Sequence, residues 1–257
     1  MIIRDLQPFG IELSDVQICD CDAGLSQEVL RLSGAHRVVV YRDQITDDQS
    51  FVRFLSSLGP LMFTPGETPV PNAPDFNMVS NVDRIVPPRS VFHTDASYVD
   101  QPPAFGAMRA VILLQVGGET LFSDQIQAAA NLPHSVAEWL SGRTLLRQTS
   151  SRDRSISQAR HPVLQRNPIT RVATLFLSTP ERCSQLSCID PGLSQRIIDL
   201  IYRRSIRSTR LYHHIWRHGD IVMWDNRATM HRADHTGVVG DRVLHRGLVR
   251  GGIPDKI

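Results

Sequence analysis

Lysine is almost missing from this sequence: of 28 Lys and Arg residues only Lys256 is lysine, so arginine carries nearly all the positive charge. A surplus of one sign is missing too. The formal net charge is +2, which leaves no basic field of the kind that binds nucleic acid. Cysteine is scarce, and Cys19, Cys21, Cys183 and Cys188 make neither a C-x-x-C pair nor a zinc pattern with nearby histidines. No apolar run approaches the ~20 residues of a membrane span. Residues 1–13 alternate apolar and polar side chains around Arg4 and Asp5, with no apolar export region. A cytoplasmic setting with free thiols is expected, without nucleic-acid or membrane partners. A G-x-G-x-x-G turn after a strand, a Walker loop and a G-x-S-x-G elbow are all lacking, so nucleotide-binding and hydrolase readings lose their usual support.

What is present is the make-up of one globular domain: 257 residues, 41% hydrophobic and 21% charged. Val38–Tyr41 is short, apolar and β-branched, and reads as a buried strand. Thr46-Asp47-Asp48-Gln49 reads as a capping box opening a helix with Phe51, Phe54, Leu55 and Leu58 on one face, stopped by Gly59-Pro60. Residues 60–88 hold Pro65, Gly66, Pro69, Pro71, Pro74 and Pro87, and are expected to form a long functional loop broken by a strand at 76–80. Further strands are expected at 90–93, 104–115, 120–123, 172–177, 214–216, 221–224 and 243–249, and helices at 124–131, 133–140 and 194–204. Residues 147–160 have Ile156 as their one large apolar side chain and read as a loop or lid, with Arg147, Arg152, Arg154 and Arg160 in solvent. Many short strands among a few helices argue for an α+β, mainly β chain built on an antiparallel sandwich or barrel.

Chemistry concentrates in three places. His93-Thr94-Asp95 ends an expected strand, where residues i and i+2 share a face and can reach one ion. His231 follows a buried strand and supplies a third ligand. Two histidines and one carboxylate make the facial triad of non-haem Fe(II) oxygenases. H-x-D alone is weak, since a satisfied core histidine explains most such triplets. Arg242 and Arg246 then fall at i and i+4 of the last strand, on one face with Leu244. Two inward guanidinium groups need anions, and a dicarboxylate would serve through charge-assisted, two-pronged bonds.

The combined pattern resembles the taurine/2-oxoglutarate dioxygenase (TauD/TfdA-like) family of Fe(II)/2-oxoglutarate-dependent oxygenases. The matching stretches are Phe92-His93-Thr94-Asp95, Gly117-Gly118-Glu119-Thr120-Leu121-Phe122-Ser123-Asp124, and His161-Pro162-Val163 running to Arg171. Trp224-Asp225-Asn226-Arg227 through His231, then Arg242 and Arg246, complete the set, over roughly residues 35 to 250. The resemblance implies a double-stranded β-helix (jelly-roll) core flanked by helices, one catalytic domain over 1–257, and the cofactors Fe(II), 2-oxoglutarate and O2. It implies His93, Asp95 and His231 as metal ligands. Thr120 and Arg242 would hold the distal carboxylate of 2-oxoglutarate, and Arg246 would lie near its chelating carboxylate and near any substrate anion. The expected reaction oxidises, and most simply hydroxylates, a C–H bond of a small organic molecule while 2-oxoglutarate becomes succinate.

Where taurine-type members carry a His and a Tyr, this chain reads Phe63-Thr64-Pro65-Gly66-Glu67. The sulfonate clasp is therefore lacking, and Thr64, Glu67 and Tyr98 stand as pocket residues of open preference, with an anionic substrate one option. His161 is expected to be structural or to support a ligand from behind, and His213, His214, His218 and His235 to be surface or supporting groups. Two alternatives stay open: the same cofactors driving desaturation, epoxidation or cyclisation, and an inactive jelly-roll module that binds a small acid. A homodimer is the base-rate expectation for assembly.

Overall fold

Side chains alternate in direction with a period of two along the central strands of the computed structural model, which describes residues 1–82, 90–149 and 157–257. In Val38–Tyr41, Val38 and Val40 point to one cluster of buried side chains, and Val39 and Tyr41 to another. Ile221–Asp225 repeats this, with Val222 and Trp224 on one side and Ile221 and Met223 on the other. Such strands are covered on both faces, which explains their continuous apolar runs.

They lie in an eight-stranded sheet. Its spatial order is Ile2–Asp5, Ile11–Ser14, Val38–Tyr41, Ile221–Asp225, Pro103–Ile112, Val243–Arg250, Ala73–Ser80 and Pro69–Val70. A three-stranded sheet, in the order Leu211–His214, Thr120–Asp124 and Thr229–Ala233, faces it. Between the two sheets Phe122 and Tyr212 meet Val38, Val40, Val222, Trp224 and Leu244. Helices Ala23–His36 and Asp48–Leu58 cover the outer face of the large sheet through Val29, Leu32, Phe51, Phe54 and Leu55. Helices Gln125–Ala130 and Pro191–Arg207 cover the small sheet through Ala128, Ile198 and Ile201 against Leu121 and Met230. The result is helices, sheet, sheet, helices, with the site opening between the sheets.

Several expectations need adjusting. Residues 90–93 form no strand: only His93 makes a bridge, and the Val91 carbonyl accepts a hydrogen bond from the His93 ring. The helix after Val38–Tyr41 is capped one residue later than expected, by Asp47, whose carboxylate accepts from the Ser50 amide at 2.8 Å. Helix Ala23–His36 has no counterpart in the sequence reading. The proposed lid at 147–160 begins and ends in strands, Thr144–Gln148 and Gln158–Pro162, and residues 150–156, with Arg152 and Arg154, lie outside the described residues. Arg147 is not in solvent. Its guanidinium is fully buried, lies 3.9 Å above the Phe176 ring and donates to the Phe176 carbonyl. The expected loop at 60–88 is shortened by a longer strand, Ala73–Ser80, and residues 83–89 lie outside the described residues.

Candidate functional site

The small sheet extends by one pair at the mouth of the sandwich. His93 and His231 form an antiparallel bridge, and each amide donates to the other's carbonyl at 3.0 Å. A pair of this type sets the two side chains on the same face, and the imidazole rings stand 4.4 Å apart. Asp95, two residues on, turns its carboxylate between them: Oδ1 lies 3.6 Å from His93 Nε2 and Oδ2 lies 3.6 Å from His231 Nε2. The ligand atoms of the three residues fall within 4.8 Å of one another.

Each ligand is held from behind. His93 Nδ1 donates to the Val91 carbonyl at 3.0 Å, which leaves Nε2 with its lone pair free. The His231 ring is wedged against Trp224 and Phe122, with centroids 4.7 and 6.0 Å away. Asn226 clamps the Asp95 main chain: its Oδ1 accepts from the Asp95 amide at 3.0 Å and its Nδ2 donates to the Asp95 carbonyl at 3.1 Å. Beside this clamp Ala96 adopts φ 40°, a left-handed conformation that a non-glycine residue holds only where its surroundings dictate it. Thr94 Oγ1 donates to the Leu177 carbonyl at 2.6 Å and ties the same segment to the opposite wall.

Electrostatics prepare these groups for a cation. Burial is the largest influence on His231 and pushes its pKa down to about 3, so its imidazole is neutral and able to ligate. Burial alone would raise the pKa of Asp95, but the Arg246 charge, then His231 and His93, outweigh it and hold the carboxylate well below the usual range. Asp95 Oδ2 is buried without a hydrogen-bond donor. A desolvated anionic oxygen flanked by two imidazole nitrogens is a donor set that fits a divalent transition metal, with one face left for other ligands.

The two arginines of the last strand differ. Leu244, Arg246 and Leu248 face the space between the sheets, whereas His245 and Gly247 face the helix side, where His245 pairs with Asp48 at 2.6 Å. Arg242, 5% exposed, has no carboxylate partner among the described residues. Its Nη2 donates to Thr120 Oγ1 at 3.2 Å, and Trp216 Nε1 donates to the same oxygen at 3.0 Å. Burial lowers its pKa to about 10. Gly117 and Gly118, with φ of 77° and 76°, make the turn beneath it. A side chain on Gly118 would press on Leu114 and lie 3.6 Å from Arg242 Cδ. Arg246 is paired with carboxylates instead: Nη1 donates to Asp95 Oδ1 at 2.7 Å, and Nη2 to Glu67 Oε2 at 2.6 Å and Thr64 Oγ1 at 3.4 Å, while its Nε is buried without a partner among the described residues.

All the expected site residues except Tyr98 therefore fall into two linked groups: His93, Asp95, His231, Arg246, Thr64 and Glu67 around the triad, and Thr120 with Arg242 beyond. Tyr98 is buried nearby in an apolar cluster with Met62, Ala96 and Leu248. The sequence reading did not foresee Asn226 as a clamp on Asp95, and missed Trp216. Trp216 lies beyond the strand Leu211–His214, so strand alternation gave no signal for it. His161 is structural, its Nε2 donating to the Val99 carbonyl at 2.8 Å.

Comparison with known proteins bears on the family and the fold. A family model described as taurine catabolism dioxygenase TauD, TfdA family matches residues 3–248. The chain is 25% identical to an alpha-ketoglutarate-dependent sulfate ester dioxygenase of Pseudomonas putida, over 95% of this chain and 87% of that protein. It is 23% identical to an alpha-ketoglutarate-dependent sulfonate dioxygenase of Saccharomyces cerevisiae, over 96% of this chain and 65% of the yeast protein. It spans only 44% of the length of a further relative. The crystal structure of a taurine dioxygenase from Burkholderia xenovorans superposes with a TM-score of 0.86 at 24% identity, covering 98% of this chain and 92% of that one. The jelly-roll expectation is borne out by this fold.

Proposed function

The chain belongs to the TauD, TfdA dioxygenase family, and on that premise we propose that it is an Fe(II)- and 2-oxoglutarate-dependent dioxygenase that hydroxylates a C–H bond of a small organic molecule. The substrate R–H, O2 and 2-oxoglutarate become R–OH, succinate and carbon dioxide. His93, Asp95 and His231 hold the iron. When bound with 2-oxoglutarate, the iron supplies the activation of dioxygen.

The protein's own side chains do the rest. Arg242 and Thr120 receive the distal carboxylate of 2-oxoglutarate, the guanidinium by a charged fork and the hydroxyl by one further bond. Arg246 fixes the rotation of the Asp95 carboxylate and keeps it ionised. Asn226 fixes the backbone that carries it. Phe122, Trp224 and Leu244 keep water from the inner side of the site. Thr64, Glu67 and Tyr98 line the substrate side. Residues 1–257 act as one catalytic domain. The four cysteines are free thiols, which suits a reducing cytoplasm, and no helix among the described residues is long and apolar enough to cross a membrane.

What carries this assignment is the buried, unneutralised guanidinium of Arg242 beside a ready metal triad. Leaving a guanidinium in a protein interior without an anion costs several kcal/mol, and a dicarboxylate co-substrate removes that cost. The test is to supply Fe(II), 2-oxoglutarate and O2 and to measure succinate. Slow succinate formation without added substrate, absent in His231→Ala, is expected. No succinate under any condition, with 2-oxoglutarate still bound, would make the protein an acid-binding module instead.

A further inference from the structure

Arg246 and Glu67 form an ion pair whose two members are unequally placed. The Arg246 side chain is 8% exposed and that of Glu67 is 38% exposed. Both terminal nitrogens of Arg246 are engaged, by Asp95 on one side and by Glu67 with Thr64 on the other, and its Nε, though unpartnered among the described residues, is buried out of reach. A molecule arriving from the open side thus meets a carboxylate and not a guanidinium. Glu67 is also held in place. Its amide donates to the Thr64 carbonyl at 3.3 Å, and Asn77, fully buried, bonds both the amide and the carbonyl of Thr64 at 3.4 Å.

Charge counting points the same way. It rests on the oxygenase reading, in which iron, Asp95, 2-oxoglutarate and Arg242 share the site. The two positive charges of the iron and that of Arg242 are matched by Asp95 and the 2-oxoglutarate dianion. Arg246 is matched by Glu67. Among these described groups no positive charge is then left over for a substrate anion, and a poorly solvated excess charge is strongly disfavoured. Beside the pair, Met62, Ala96, Tyr98 and Leu248 form an apolar cluster.

We propose that Glu67 sets substrate specificity by withdrawing Arg246 from anions, so that the pocket takes an apolar molecule bearing an uncharged, hydrogen-bond-donating group such as a hydroxyl or amide N–H. Glu67 is a positioning and selecting residue, with no part in the oxidation itself.

The test is anion binding to protein loaded with Mn(II) and 2-oxoglutarate, with inorganic sulfate as probe and chloride holding ionic strength constant. Wild type is expected to bind sulfate no better than background. Glu67→Gln removes the competing carboxylate and should bind sulfate about tenfold tighter or more, as a freed charged contact warrants. Glu67→Asp keeps the charge and should behave as wild type. Equal sulfate binding by wild type and Glu67→Gln, or tight binding by wild type, overturns the proposal. The same titrations on metal-free protein keep the two readings apart. Failure to load Mn(II) and 2-oxoglutarate counts against the oxygenase, whereas the wild-type to Glu67→Gln sulfate ratio counts only for or against Glu67.

Discussion

His93 and His231, far apart in the chain, exchange both of their backbone hydrogen bonds at 3.0 Å. Two of the three proposed metal ligands are thus placed by sheet pairing, and loop conformation has little say in their spacing. Replacing either side chain by alanine keeps the bridge and removes a ligand. His93→Ala and His231→Ala should each abolish succinate formation. They should also abolish thermal stabilisation by Mn(II), which for wild type at a hundredfold excess over Kd is worth about 2.7 kcal/mol. Stabilisation surviving in either variant would place the metal elsewhere.

Arg242→Met separates stability from function. The guanidinium is buried without a counter-charge, so an apolar side chain of similar length should leave the free protein more stable, by about 1–4 kcal/mol. Binding of 2-oxoglutarate loses a charged fork worth about 3 kcal/mol, roughly a hundredfold in Kd. Denaturant melts and calorimetric titration of the same sample check both. A twofold loss of affinity would remove Arg242 from this role.

Asn226→Ala leaves the Asp95 amide and carbonyl unpaired in a buried setting. A stability loss of about 2–3 kcal/mol is expected. Metal affinity should fall about tenfold to a hundredfold, as for other residues that support ligands from behind. Urea unfolding and Mn(II) titration measure the two effects. Unchanged metal affinity would show that the clamp is structural only.

His161 gives the acid limb of stability. Burial first, then the nearby Arg147 charge, lowers its pKa to about 4 in the folded protein, against about 6.5 when unfolded. A depressed folded pKa means that the unfolded chain binds the proton first as pH falls. Its contribution is therefore fully present above pH ~6.5 and is lost progressively toward pH ~4, at most about 3 kcal/mol. Denaturation midpoints of wild type and His161→Gln, compared between pH 7 and 4.5, should converge on acidification. A constant difference would mean that His161 is not held neutral.

Strands were legible wherever both faces are buried, as in Val38–Tyr41 and Ile221–Asp225, because continuous β-branched and aromatic runs leave little choice. Helix Asp48–Leu58 was legible from its apolar face. Helix Ala23–His36 was not: its buried face includes Ser26, Ser33 and Gly34, small residues that bury without an apolar signature. The triad and Arg242 could be read from residue type and order. Arg147 could not, since its burial depends on stacking over Phe176 from a different strand. Nor could the Arg246–Glu67 pair, which joins a loop to the last strand.

The most direct measurement is anaerobic. Fe(II) and 2-oxoglutarate are added together to the wild-type protein, and the visible spectrum is compared with each component added alone. One equivalent of a weak charge-transfer absorption is expected with both present, lost in His231→Ala and shifted to about a hundredfold higher 2-oxoglutarate in Arg242→Met. Absence of the absorption in wild type, or its persistence unchanged in His231→Ala, would contradict a ferrous ion chelated by 2-oxoglutarate at this triad.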